Sequence, residues 1–146
     1  MELLVVIAII GILASVVLVA LTDARKKGGD GGVKSNLAGS RSQAEVFYNT
    51  NTVAPNSYTS VCTNGAVGGA QGIGLAVLAA AKAGGLSSYA TNAIGSLTTA
   101  TCNNSSSAWA AEVPLRAGGM WCVDWTNKSI ATAGSTLSSA IDYACN

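Results

Sequence analysis

Four cysteines, at positions 62, 102, 122 and 145, are the residues of this sequence with the most chemistry to offer. An even number of thiols in a chain that bears an export signal favours disulfides, and sequence alone leaves three connectivities open. Zinc is disfavoured, because there is no CxxC pair and no histidine, and gaps of 40, 20 and 23 residues do not resemble a zinc knuckle. The absence of histidine also removes the commonest general base and every Ser/His or Cys/His pair. Neither G-x-S-x-G nor HExxH occurs. The run from Gly68 to Gly74 is glycine-rich but is neither GxGxxG nor a P-loop, since no Lys-Ser/Thr pair ends it. The expectation is a protein that is not an enzyme and carries no cofactor or metal.

Charge narrows the partners. Eight Lys and Arg stand against seven Asp and Glu, a formal net charge of +1, and charged residues make up only 10% of the chain. After the first 50 residues the only cations are Lys82, Arg116 and Lys128, too few for a nucleic-acid footprint. Trp121 and Trp125 would suit a sugar or a base, but sheet packing is the commoner use of such residues. Asn103, Asn104 and Asn127 each open an N-x-Ser triplet, which reads first as solvated turn.

Chemistry of a different kind begins at Glu2. From Leu3 to Leu21 every residue is apolar except Gly11 and Ser15. Nineteen residues in a helix reach about 28 Å, close to the thickness of a bilayer's hydrocarbon core. A cleavable secretory signal is the rival reading, but it would open with basic residues, and here Glu2 is the only charge ahead of the run. Arg25, Lys26 and Lys27 follow the span, which by the positive-inside rule puts the remainder in the cytoplasm, whereas the cysteines argue for the opposite side. A basic leader removed after insertion would reconcile the two. A carboxylate at the tip of an apolar helix is costly in lipid unless neutralised, and the unpaired N–H groups of a helix start or an α-amino group would relieve it.

The thirteen residues from Glu2 to Ala14, ELLVVIAIIGILA, resemble the N-terminal signature of type IV pilins and pseudopilins. That resemblance implies a leader cleaved by a prepilin peptidase just before a short stretch that precedes this glutamate, and this sequence starts inside the signature. It implies that Glu2 pairs with the N-terminal amine of a neighbouring subunit, and that Leu3, Leu4, Ile7, Ile10 and Gly11 belong to the assembly surface. An unpaired charge in an apolar bundle is heavily penalised, so such a pair would set axial register. Many pilins carry a proline a little further along, where this chain has Val16-Val17-Leu18-Val19.

The elements that would carry this helix into a head follow. Four glycines between 28 and 32 make the helix weakest there, and a continuous but soft helix is expected. Val33, Leu37, Ala44, Phe47 and Tyr48 recur at helical spacing as one packing face, with an end near Asn49-Thr50-Asn51 and Pro55 closing the exit. Leu75 to Ala83 reads as a short helix stopped by Gly84-Gly85. The remainder of 51–96 reads as loop. Strands are expected over Leu97 to Cys102, Ala108 to Leu115 and Met120 to Thr126, with turns at 103–105 and 116–119. Trp109, Ala111 and Val113 alternate onto one face and should meet Val33, Leu37 and Phe47.

The expected fold class is α+β, with a long N-terminal helix packed on a small antiparallel sheet of about three strands and a disulfide-closed C-terminal loop, as in pilins. The first domain covers 1–32. The head covers 33–146, divided into the amphipathic half-helix 33–50, a connecting region 51–96, a meander 97–126 and a C-terminal loop 127–146. The expected pairing is Cys62 with Cys102 and Cys122 with Cys145. In a meander the strands bearing Cys102 and Cys122 are not neighbours, and the second bridge resembles the closed C-terminal loop of many pilins, here pinning the tail to the sheet edge. The expected partners are further copies of this chain as a helical polymer, the inner membrane before assembly, and the prepilin peptidase and pilus assembly machinery. The expected location is a cell-surface filament, the function structural, with motility, adhesion or DNA uptake as properties of the assembly. A pseudopilin of a secretion or competence system, and a membrane-tethered binding module, are the alternatives.

Overall fold

The computed structural model describes residues 2–146, with side chains from Leu3 onward. Met1 and the Glu2 side chain lie outside that description. Helix α1, Glu2–Thr50, runs without a break for 49 residues. Its buried positions after the span are Asp30, Val33, Leu37, Ser40, Ala44 and Phe47, alternating by three and four, which is the stripe an α-helix turns toward one partner surface.

Two of the four glycines at 28–32 pack closely against other elements. A Cβ on Gly29 would run into the Arg116 side chain and the Ala83 carbonyl, and one on Gly32 would press on Ala83. Close packing against the end of a second helix, rather than bending, accounts for both residues. That helix, α2, spans Gly74–Gly84, and the Gly85 N–H donates back to the carbonyls of Ala81 and Lys82. Asn51 ends α1 by accepting from the N–H groups of Val53 and Ala54.

The sheet is larger than the sequence implied. Strands β3 (Tyr89–Thr91), β4 (Ala100–Asn104), β5 (Trp109–Pro114), β6 (Met120–Asp124) and β7 (Ser129–Thr132) lie side by side in that order. The expected meander is β4–β5–β6, antiparallel throughout. To it are added β3, paired parallel to β4, and β7, antiparallel to β6. The meander's first strand, β4, starts at Ala100 rather than Leu97, and Asn103 and Asn104 belong to it instead of a turn. The turn at 116–119 is present, with the Leu115 N–H bonded to the Gly119 carbonyl. Region 51–96 is not loop alone, since it also holds β1 (Ala66–Val67) and β2 (Ala70–Gln71), an antiparallel hairpin. Gly68 (φ 56°) and Gly69 (φ 80°) form its two-residue turn, a geometry that needs positive φ at both central positions.

Both faces of the sheet are covered. Alternation sends Trp109, Ala111, Val113, Cys102 and Val123 toward the helices, where they join Val33, Leu37, Phe47, Ile73 and Val77 in one apolar core. The opposite face carries Thr101, Asn103, Glu112 and Asp124, all buried. What buries them is the tail: Asn103 donates to its Ser139 carbonyl, and Glu112 and Asp124 accept from the N–H groups of Thr136 and Cys145. The segment 127–146, expected as a loop, thus supplies a fifth strand and then a third layer.

Candidate functional site

The first half of α1 is the feature with functional weight. An 18-residue window within it reaches a mean hydropathy of 3.2, and the helix is long and apolar enough to cross a membrane. By length and composition a membrane anchor or a signal sequence fits it. The large apolar side chains from Leu3 to Leu21 are exposed on every side of the helix, Leu3 at 78% and Leu13 at 60%. Its two hydroxyls are satisfied internally: Ser15 Oγ donates to the Ile12 carbonyl at 2.7 Å and Thr22 Oγ1 to the Leu18 carbonyl at 2.9 Å. That suits hydrocarbon, where an unpaired hydroxyl is costly. Leu3, Ile7 and Ile10 fall on one stripe by helical spacing, Leu4 and Gly11 on another two turns apart. A Cβ on Gly11 would meet nothing, so its lack of a side chain answers to no contact within this chain.

The head anchors that helix through both packing and polar links. Val33, Leu37, Ala44, Phe47, Trp109 and Val113 are brought together in the core, none more than 1% exposed. The structure joins Cys62 to Cys102 and Cys122 to Cys145, leaving no free thiol. The second bridge does not end at the sheet edge, because β7 lies outside β6 there. Lys34 sits over the Trp121 ring at 4.8 Å, so that indole serves the helix–sheet contact, while Trp125 is 45% exposed.

Sequence reasoning missed the polar residues that fix the layers. Asp30, in the glycine-rich turn of α1, accepts from the N–H groups of Arg116 at 2.6 Å and Ala117 at 3.2 Å. Arg116 in turn donates from Nε to the Ala83 carbonyl at 2.6 Å, tying α1, α2 and the β5–β6 turn together. Glu112 accepts from Ser135 Oγ and from the N–H and Oγ1 of Thr136. Asn103 donates to the carbonyls of Ala93, Ser139 and Asp142. The available signal was acidic or amide residues at positions whose strand neighbours are apolar.

Tyr58 Oη donates to Glu45 Oε1 at 2.8 Å. Burial first, and then the Glu45 carboxylate, push its phenol well above the ordinary tyrosine range. No group of three or more His, Cys, Asp or Glu suited to a metal occurs among the described residues. Comparison with known proteins finds no matching family model, no matching curated protein and no matching solved structure. Function therefore rests on the geometry of this chain.

Proposed function

We propose that this chain is a pilin, the structural subunit of a type IV pilus-like filament at the cell surface, with a pool in the inner membrane before assembly. The observation that carries the reading is the division of one unbroken helix. Its first half is apolar around the whole circumference and packs on nothing within the chain, and its second half is fixed into a disulfide-bonded head. A helix hydrophobic all round needs an apolar environment on all sides, either lipid or copies of itself. The same segment serves both states in turn, lying in the bilayer first and then in the core of a helical homopolymer, with heads outward. The signature from Glu2 to Ala14 supports this, and it also supports the narrower alternative of a pseudopilin in a secretion or competence system.

In this reading Glu2 sets register by pairing with the N-terminal amine of a neighbouring subunit. Glu2→Ala is expected to insert in membranes normally and to yield far less filament than the unaltered chain, measured by electron microscopy and mass spectrometry of fibres sheared from cells. Unchanged fibre yield from Glu2→Ala would remove that role. Fibres lacking the chain altogether would remove the function.

A further inference from the structure

A cleft of about 670 Å³ opens beside the sheet edge, away from the apolar helix. Its walls are the segment 59–64, Val67 of β1, the edge strand β3 with Asn92, and the end of β4 at Asn104 and Ser105. We propose that this cleft binds an uncharged sugar, such as the end of a neutral glycan.

Besides Cys62, Val67 and the Tyr89 ring, the lining is polar and uncharged. It holds carboxamides (Asn64, Asn92, Asn104) and hydroxyls (Thr63, Thr91, Ser105) and not one Asp, Glu, Lys or Arg. An anionic ligand such as a phosphate or a sialic acid would find no cation to pair with, and a cationic one no carboxylate. Sugar hydroxyls are each donor and acceptor at once, and a carboxamide offers both functions side by side, so vicinal hydroxyl pairs match this wall.

Part of that capacity is unused by the protein. The Oδ1 of Asn92 accepts from the Asn104 N–H at 2.8 Å, which fixes the Asn92 side chain. Among the described residues, the Asn92 NH₂, the Asn104 carboxamide and the Thr91 hydroxyl make no hydrogen bond within the chain. Tyr89 supplies an aromatic ring held in place, since its hydroxyl lies 2.6 Å from the Cys62 carbonyl and 2.7 Å from Asn64 Oδ1. A fixed ring beside amide donors is a common arrangement for the apolar face and polar rim of a pyranose.

The backbone adds a separate indication. Of the four non-glycine residues with positive φ among those described, Ser60 (68°) and Asn92 (48°) line this cleft, and Asn56 and Asn127 do not. Such conformations are costly and gather where a site needs side chains aimed in a set direction.

The test uses the full chain in a detergent without a sugar headgroup, and saturation-transfer NMR with lactose, cellobiose and N,N′-diacetylchitobiose, with sialyllactose as the charged comparison. At least one neutral disaccharide should receive saturation and sialyllactose should gain nothing from its added charge. Asn92→Gly keeps the positive φ and removes the carboxamide, and Thr91→Val keeps the side-chain shape. Each should weaken binding about tenfold, the loss of roughly one or two hydrogen bonds, with the thermal unfolding midpoint unchanged in Thr91→Val. A printed array of neutral glycans separates a free sugar from a surface-displayed chain, which would bind only when arrayed. Silence from every neutral probe in both formats, or signal undiminished in both variants, would overturn the proposal. None of these outcomes bears on whether the chain polymerises.

Discussion

Asp30 and Tyr58 show how single polar groups are used where apolar burial is limited. Asp30 is 8% exposed and its two oxygens serve two consecutive backbone N–H groups in the β5–β6 turn. Asp30→Ala leaves both N–H groups without that acceptor, at a cost of about 1 to 3 kcal/mol. Chemical denaturation of the disulfide-intact chain should read that loss, and an unchanged midpoint would mean that water replaces the carboxylate fully. Tyr58 gives a pH dependence. Its folded pKa is raised, so the neutral phenol is the form the fold favours. The contribution is whole below the ordinary tyrosine value of about 10 and is lost as pH rises past it. Stability should therefore fall progressively from about pH 10 upward, toward the raised folded value, and Tyr58→Phe should flatten that fall while lowering stability at neutral pH, because Glu45 loses a donor. Tyr89 is shifted in the same direction by burial, so the fall shrinks in the variant and does not vanish.

Among the elements, α1 was legible in the sequence because its two halves follow simple rules: continuous apolarity first, then a three-four stripe through Val33, Leu37, Ala44 and Phe47. Strands β5 and β6 were legible from turn residues and alternation. β3 and β7 were not, being short and half-buried sequences, Tyr-Ala-Thr and Ser-Ile-Ala-Thr, whose strand character depends on a neighbour offering a hydrogen-bonding edge. The tail layer was hidden for a similar reason, since acidic residues are ordinarily exposed, and Glu112 and Asp124 are buried by chain that follows them. The cleft was illegible because its walls come together from four separate stretches. The glycine run lends itself to a direct comparison. Gly28 faces open space and Gly29 faces Arg116 and Ala83. Gly28→Ala should stabilise the head by up to about 1 kcal/mol, the ordinary helix preference. Gly29→Ala should do the reverse despite the same preference, because something packed must move. Equal effects by urea denaturation would mean that the contacts at Gly29 yield without cost.

For the whole molecule, the two bridges divide labour that loop entropy alone would not separate. They close 40 and 23 residues, and the dependence on loop length makes their unfolded-state contributions differ by only about 0.5 kcal/mol. Their surroundings differ far more. Cys62–Cys102 joins the cleft wall to β4 beneath the helices, inside the apolar core. Cys122–Cys145 holds the last layer, which is also held by Asn103, Glu112 and Asp124 and by Lys128 Nζ donating to the Cys145 carbonyl at 2.7 Å. Removing both members of the second bridge (Cys122→Ser with Cys145→Ser) should cost about 3 kcal/mol globally and loosen the tail first. Hydrogen exchange should then rise over 133–146 while the amides of α1 beyond Asp30 stay protected. Removing the first pair should cost a similar amount but raise exchange over 59–64 and 89–92, the walls of the cleft, with the tail unaffected. If either pair opened the whole head at once, the layers would be a single cooperative unit, and the tail could not respond to a local event without the helix that carries it also coming free.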